Sequence, residues 1–289
     1  MSDVREKHVP APWRAEIESW TTALQAASCT AQTIETRTDH IRRLARAMEP
    51  TPPWEVTSEA LTQWAGAQHW ARETRRSVYA SVRRFYAWGV QTERVSESPA
   101  QTLPSVRPAP PCPRPAPEGV YRQALARADL RSRVIVRLAA EAGLRRAEIA
   151  QVSRRDVMAD LTGFSLLVHG KGDRERIVPL SPMLAREMSL LFDQVPVTVA
   201  RWLFPSPRSC AGHLTPRHVG KLASAVLPDA WTLHPLRHRF ATRSYAVDRD
   251  LIAVQTLLGH ASVATTQRYV RPPDDAVRRA ASGAWADAA

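Results

Sequence analysis

A proline-rich segment at residues 104–117 constrains the fold of this 289-residue chain more than any other stretch. Seven of its fourteen residues are prolines. Because proline fixes φ and lacks a backbone N–H, the segment cannot form a helix or a central strand. It predicts an extended and fairly stiff linker. We therefore expect two domains, at residues 10–103 and 118–289, in agreement with the chain length.

The first domain has the apolar spacing of a four-helix module. Apolar residues recur at helical intervals in two sets: Trp13, Ile17, Trp20, Leu24 and Ile34, Ile41, Leu44, Met48. Ser58 is expected to cap a third helix, and Thr74 to open a fourth. Six of the nine tryptophans lie in this domain, mostly at core spacings, which indicates packing residues rather than platforms for stacked bases.

Five arginines cluster around the expected fourth helix. They are Arg72, Arg75, Arg76, Arg83 and Arg84. A basic helix face can follow the phosphates of a DNA backbone, so these arginines are candidate DNA-binding residues. An ordinary solvated helix face is the alternative, and this segment alone does not choose between the two.

The second domain is expected to be mostly helical with a small three-stranded antiparallel sheet, which makes the fold class of the chain mainly α (α+β). Helices are expected near residues 119–128, 132–142 and 216–227, and strands at 156–160, 165–169 and 174–180. Two glycines flank Lys171 in the turn between the last two strands, so Lys171 is expected at a hairpin tip. The turn lacks the spacing of an ATP-binding P-loop.

The end of the chain is expected to form two helices and a tail. Thr232 is placed to cap the helix that carries His234 and Arg237. Asp248 or Asp250 should begin the next helix, and Gly259 should end it, which leaves His260 on a loop. Residues 270–289 form a C-terminal tail.

The positive charge is concentrated in the second domain. The chain has a net charge of +12. Residues 1–105 hold 13 basic and 12 acidic side chains, whereas residues 106–289 hold 27 and 16. An excess of this size indicates a polyanionic partner, nucleic acid first. A general solubility charge is the alternative, and arginine enrichment through coding bias weakens the inference.

The cysteines and the apolar runs exclude several classes of protein. Cys29, Cys112 and Cys210 lie far apart, without the spacing of a zinc site or a disulfide framework. No apolar run approaches the roughly 20 residues that span a bilayer, and the N-terminus lacks the apolar core of a secretory signal. We expect a reduced protein of the bacterial or phage-infected cytoplasm, associated with the nucleoid.

Six residues of the second domain are of the types that phosphate chemistry uses. They are Arg145, Lys171, His234, Arg237, His260 and Tyr269. An arginine fork matches two phosphate oxygens, a histidine can move a proton near neutral pH, and a tyrosine hydroxyl can be a nucleophile. His234 and Arg237, three residues apart, share one helix face. The hypothesis is that all six form one site.

The motifs that carry these residues resemble those of the tyrosine recombinases, the phage integrase family. The matching stretches are Ala142-Gly-Leu-Arg145-Arg-Ala-Glu148, His169-Gly-Lys171 through Leu180, His234-Pro-Leu-Arg237, and Leu257-Leu-Gly-His260 through Tyr269. Arg239 stands where the family often has a small polar residue. The resemblance implies that residues 10–103 are a SAM-like core-binding domain and that residues 118–289 are catalytic. It also suggests the two-domain type without an arm-binding domain.

The resemblance implies a reaction in which Tyr269 attacks a DNA phosphodiester and forms a 3′-phosphotyrosine link. Arg145 and Arg237 would bracket the phosphate, with the two histidines completing its shell. Lys171 would protonate the leaving oxygen, and His234 would accept the tyrosine proton. Glu148 is expected to position the site, the alternative being a simple helix N-terminal carboxylate. We expect no metal, ATP or other cofactor to take part.

Two other functions remain open at this point. A type IB topoisomerase uses a similar set of residues, and a DNA-binding protein on a decayed recombinase scaffold would need none of the chemistry. For a recombinase, the expected partners are paired duplex sites and a homotetramer on DNA that is monomeric in solution. Residues 274–289 would contact a neighbouring protomer or fold back in cis. A phage integrase and a host chromosome-dimer resolvase are both compatible with the motifs.

Overall fold

The computed structural model of the chain describes residues 8–109, 113–170, 174–194, 201–206, 209, 211–260 and 266. The chain divides into two units, Met1–Pro110 and Pro111–Ala289, with the division inside the proline-rich segment. In the part of the chain that the structure describes, no helix is both long and apolar enough to cross a membrane. Each unit has its own hydrophobic core.

Four helices build the described part of the first unit. They are α1 (Ala11–Ala26), α2 (Ala31–Met48), α3 (Ser58–Gly66) and α4 (Arg72–Gln91). Two 3₁₀ turns, Pro53–Glu55 and Pro99–Thr102, complete the unit. The cap of α3 is Thr57 rather than Ser58, because the Thr57 hydroxyl accepts from the amide of Ala60 at 3.1 Å. Helix α4 begins two residues before the expected Thr74.

Aromatic rings fill the core of the first unit. Phe85 lies at its centre, stacked against Trp54 at 5.1 Å and met edge-on by Trp20 at 5.3 Å between ring centroids. Trp13 is fully buried and donates its indole N–H to the carbonyl of Thr51 at 2.9 Å. These tryptophans therefore stabilise the four-helix module by packing, as their spacing predicted.

The second unit is mostly helical, as the sequence predicted. Its described helices are α5 (Glu118–Arg127), α6 (Leu130–Ala140), α7 (Arg146–Ala150), α8 (Pro182–Asp193), α9 (Pro216–Val226), α10 (Leu233–Asp248) and α11 (Leu251–Leu258). The expected helix at 132–142 ends earlier, at Ala140. The C-cap of this helix is Glu141, and Gly143, which has a φ of +66°, lies in the turn that follows.

The three-stranded sheet is antiparallel with the order β1-β2-β3. The strands are β1 (Val157–Asp160), β2 (Gly163–His169) and β3 (Glu175–Leu180), each within two residues of its expected start. Burial alternates along β3, so Arg176, Val178 and Leu180 point into the protein.

Arg239 fastens α10 to the rest of the second unit. Its guanidinium donates to the Glu118 carboxylate at 2.7 Å and to the carbonyl of Ala140 at 3.0 Å. It also lies 4.1 Å from the centroid of the Tyr121 ring. Arg239 is thus a structural residue that joins α10 to α5 and α6.

We predict that Gly89→Ala destabilises the first unit. A Cβ at Gly89 would lie 2.5 Å from Cζ3 of Trp54, a ring already packed against Phe85. Although alanine favours a helix, overpacking of this kind costs about 1–3 kcal/mol of unfolding free energy. The matched control is Gly66→Ala, where nothing lies within 4 Å and stability should rise by up to about 1 kcal/mol. Urea unfolding followed by tryptophan fluorescence measures both, and equal effects would contradict the prediction.

Candidate active site

Four of the predicted site residues meet in the second unit: Arg145, Glu148, Arg237 and His260. Arg145 is the N-cap of α7, and Glu148 lies inside its first turn. Arg237 is on the buried face of α10, and His260 follows the C-terminal end of α11. Residues separated by up to 115 positions in the chain thus surround one point.

Arg237 is the most enclosed cation of the cluster, with only 1% of the residue exposed. It donates to the carbonyl oxygen of Gly143 and, at 2.7 Å, to that of Leu258. Both carbonyls come from turns in which a glycine, Gly143 or Gly259, adopts a positive φ. Arg237 therefore joins α10 to the loop before α7 and to the end of α11.

Glu148 is the carboxylate around which the arginines gather. Its oxygens accept from the amide of Arg145 at 2.8 Å and from the guanidinium of Arg145 at 2.7 Å. A guanidinium nitrogen of Arg237 lies 3.6 Å away. Burial alone would raise the pKa of Glu148, but hydrogen bonds and charge from Arg176, with smaller contributions from Arg145 and Arg237, lower it to about 2. Glu148 therefore both caps α7 and positions the arginines.

Arg176 belongs to the cluster, although it was not among the predicted site residues. It makes a two-pronged ion pair with Glu148, at 3.1 and 2.8 Å, and donates to the carbonyl of Leu257 at 2.8 Å. The signal in the sequence was the alternation of β3, which puts Arg176 on the same face as Val178 and Leu180. A charge on an inward strand face needs a buried partner.

The hydrogen bonds of His260 fix its tautomer. Its Nε2 lies 3.1 Å from a guanidinium nitrogen of Arg237, which can only donate, so Nε2 accepts. Nδ1 therefore carries the proton and donates to the Thr266 hydroxyl at 3.0 Å. Burial lowers the pKa of His260 to about 3, with the positive charges of Arg237, Arg145 and Arg176 acting in the same direction. The ring is neutral at physiological pH.

His234 lies at the accessible side of the cluster. The residue is exposed to solvent, yet desolvation by the protein packed around its ring lowers the pKa, assisted by Arg237, Arg145 and Arg146. Its ring meets that of the buried His238 edge-on, at 4.7 Å between centroids. A neutral, accessible imidazole is suited to accept a proton.

Arg145 is the guanidinium of the cluster that stays open to a substrate. Its side chain is 39% exposed, whereas the side chains of Arg176 and Arg237 are 6% and 1% exposed. The other predicted catalytic residues, Lys171 and Tyr269, lie outside the described residues, as does the C-terminal tail. Their roles remain predictions.

The arginines of α4 fall into two groups in the first unit. Arg75 donates to the carbonyls of Ala65 and Gln68, and Arg83 donates to those of Leu103 and Pro104. The other three are exposed: Arg72, Arg76 and Arg84. One arginine group thus holds the helix in its unit, and the other is accessible to a ligand.

We predict that His260 makes the protein acid-sensitive. The pKa of His260 is about 3 in the folded protein, below its value in the unfolded chain. The stability that this difference confers is fully present above the unfolded pKa. It is lost as the pH falls below the unfolded pKa, because acid then favours the unfolded state. Between pH 7.5 and 5.5 the loss is about 1.4 kcal/mol. His260→Gln lacks this loss, so its free energy of unfolding relative to that of wild type should rise by about that amount on acidification. Urea unfolding at both pH values measures it, with the exposed His218→Gln as the matched control. An unchanged difference between His260→Gln and wild type would contradict the prediction.

Comparison with known proteins places this chain in a family. Residues 120–275 match the phage integrase family. A tyrosine recombinase XerD from Caulobacter vibrioides is 31% identical over 232 residues, which cover 74% of this chain and 75% of the relative. A tyrosine recombinase XerC from Myxococcus xanthus is 34% identical over 215 residues, covering 66% and 69%.

Solved structures share the fold. A lambda integrase tetramer bound to a Holliday junction matches with a TM-score of 0.71 and 14% identity, over 91% of this chain and 79% of that chain. The XerH site-specific recombinase in a post-cleavage complex with a palindromic difH substrate gives 0.68 and 18%, over 93% and 83%. The chain belongs to the phage integrase family and is a tyrosine recombinase.

Proposed function

We propose that this chain is a site-specific DNA recombinase that cuts and rejoins strands through a covalent bond to Tyr269. The observation that carries the proposal is the convergence of Arg145, Arg237 and His260 around Glu148, in a chain of the phage integrase family. Fixed cations and hydrogen-bond donors of this kind can stabilise the negative charge of a phosphodiester in its transition state.

In the proposed reaction, the Tyr269 hydroxyl oxygen attacks the scissile phosphorus as its proton passes to His234. The bond from phosphorus to the 5′-oxygen breaks, and Lys171 protonates that oxygen. The products are a 3′-phosphotyrosine ester and a free 5′-hydroxyl. Attack by a 5′-hydroxyl from the partner duplex reverses the chemistry and releases the tyrosine. Because the ester conserves the energy of the phosphodiester, resealing needs no ATP.

The arginines would stabilise the charge that builds up on the non-bridging oxygens. The Arg145 guanidinium is held by Glu148 and is also accessible to solvent, so it can bind a phosphate that approaches from solution. Arg237 is fixed by the carbonyls of Gly143 and Leu258. Donors held in place before the reaction lower its barrier because they need no reorganisation.

A recombinase needs partners that a topoisomerase does not. Exchange between two duplexes requires four tyrosines, so the proposal includes paired DNA sites and a tetramer assembled on them. One structure with this fold, that of lambda integrase, is a tetramer on a Holliday junction. For this chain we propose the same assembly, with residues 274–289 contacting a neighbour and the DNA of the cytoplasm as its substrate. The sequence relatives are recombinases, which favours this function over the topoisomerase alternative.

We predict that Tyr269→Phe abolishes covalent capture of DNA. Wild type should form an adduct with members of a pool of nicked duplexes, in EDTA and without ATP, and sequencing of the trapped DNA gives the site. Arg145→Ala should slow the adduct by about 10²–10³-fold. Tyr245→Phe on α10 is the matched control and should react normally.

The outcomes of this experiment separate the functions. An adduct in Tyr269→Phe would mean that another residue is the nucleophile. DNA binding by wild type without any adduct would favour the non-enzymatic scaffold. Relaxation of plasmids without exchange between two sites would indicate a topoisomerase.

We also propose that the exposed arginines of α4 contact DNA phosphates. Replacing Arg72, Arg76 and Arg84 with glutamine should reduce the slope of log K against log salt by about 0.9 for each phosphate that is no longer neutralised. The control is Arg75→Gln, which removes hydrogen bonds to Ala65 and Gln68 and should lower stability without changing the slope. Fluorescence anisotropy across a salt series measures the slope, and an unchanged value in the triple variant would assign these arginines to a solvated face.

A further inference from the structure

Arg176 is a buried cation whose three nitrogens are all committed to protein groups. Its side chain is 6% exposed. Nη1 and Nη2 donate to the two oxygens of Glu148, and Nε donates to the carbonyl of Leu257. Burial of a charge is costly unless it is paired and hydrogen-bonded. The position of the Arg176 guanidinium therefore depends on Glu148 and on the carbonyl of Leu257.

The contacts of Arg176 lead to Arg145. Glu148 receives the fork of Arg176 on both oxygens, and the same oxygens hold the amide and the guanidinium of Arg145 at 2.8 and 2.7 Å. Without the fork, the Glu148 carboxylate could rotate or move towards Arg237. The orientation of Arg145, the most accessible of the three arginines around Glu148, therefore depends on the buried Arg176.

The contacts of Arg176 lead also to His260. Its bond to the Leu257 carbonyl satisfies one of the acceptors left open at the end of α11. The side chain packs so closely that a Cβ at Gly259 would lie 3.1 Å from its Cδ. Gly259 has a positive φ and makes the turn that delivers His260 to Arg237. Arg176 thus holds the helix end and the turn together.

We propose that Arg176 is a positioning residue for strand cleavage, holding Glu148 and the end of α11 so that Arg145 and His260 meet the scissile phosphate in fixed geometry. The proposal rests on the proposed recombinase function. Arg176 faces the interior from β3 and acts through the groups that it holds. Its loss should slow the chemical step and leave DNA affinity nearly unchanged.

Single-turnover cleavage tests this role with Arg176→Met and Arg176→Lys. On the duplex obtained by covalent trapping, at saturating protein, Arg176→Met should slow adduct formation by about 10²-fold, as expected when catalytic groups are misplaced. The dissociation constant for the same DNA should stay within about threefold. Arg176→Lys should recover only part of the rate, because a lysine cannot pair with both oxygens of Glu148 and reach Leu257.

A double-mutant cycle tests whether Arg176 acts through Glu148. If it does, the combined effect of Arg176→Met and Glu148→Gln should be much smaller than the product of the single effects. The matched control is Arg133→Met, which removes an arginine from the buried carboxylate of Glu187 elsewhere in the unit. An Arg176→Met rate no slower than that of the control, or fully multiplicative effects in the cycle, would overturn the proposal.

A measurement without DNA separates this proposal from the recombinase assignment. In protein labelled at histidine, NMR titration reports on His260, which faces Arg237, Arg145, Arg176 and Glu148. Arg176→Met should shift the ring resonances of His260 and raise its pKa, because one facing positive charge is removed. Arg133→Met should do neither. If wild type formed no adduct, the recombinase function would fail, whereas an unmoved His260 would overturn the positioning role of Arg176.

Discussion

A single carboxylate, Glu148, holds together three arginines that come from three different elements. Arg145 precedes α7, Arg176 lies on β3 and Arg237 on α10. A buried carboxylate without partners would be protonated or excluded, and a buried guanidinium without partners would be more costly still. Each buried charge is tolerated because the others are present. The sheet, the two helices and the site therefore depend on one another for their stability.

The ends of helices provide the remaining partners. The carbonyls of Leu257 and Leu258 at the end of α11 have no acceptor role within the helix, and they receive Arg176 and Arg237. Gly259 then reverses the chain with a positive φ, which a larger residue would resist both through its backbone and through contact with Arg176. Groups that a helix must leave unsatisfied are thus used to fix the cations of the site.

Local spacing predicted the parts of the site that depend on one element. Glu148 was expected to position the site, and it accepts from both the amide and the guanidinium of Arg145, three residues earlier. The helical modules and the small sheet followed from periodicity. Arg176 escaped prediction because its partner lies 28 residues away and only the folded sheet brings them together. Arg75 and Arg83 were grouped with exposed arginines for the same reason, since the carbonyls that hold them belong to other segments.

The cluster holds more positive charge than it neutralises. Three arginines share one carboxylate whose pKa is about 2, and His260 remains neutral at physiological pH because its pKa is about 3. The partial negative charge at the end of α11 offsets only part of the excess. A scissile phosphate brings one negative charge, and phosphoryl transfer spreads charge over its equatorial oxygens. The positive charges that add to burial in keeping His260 unprotonated also make the site most favourable when an anion occupies it. The transition state of a phosphodiester would supply that negative charge.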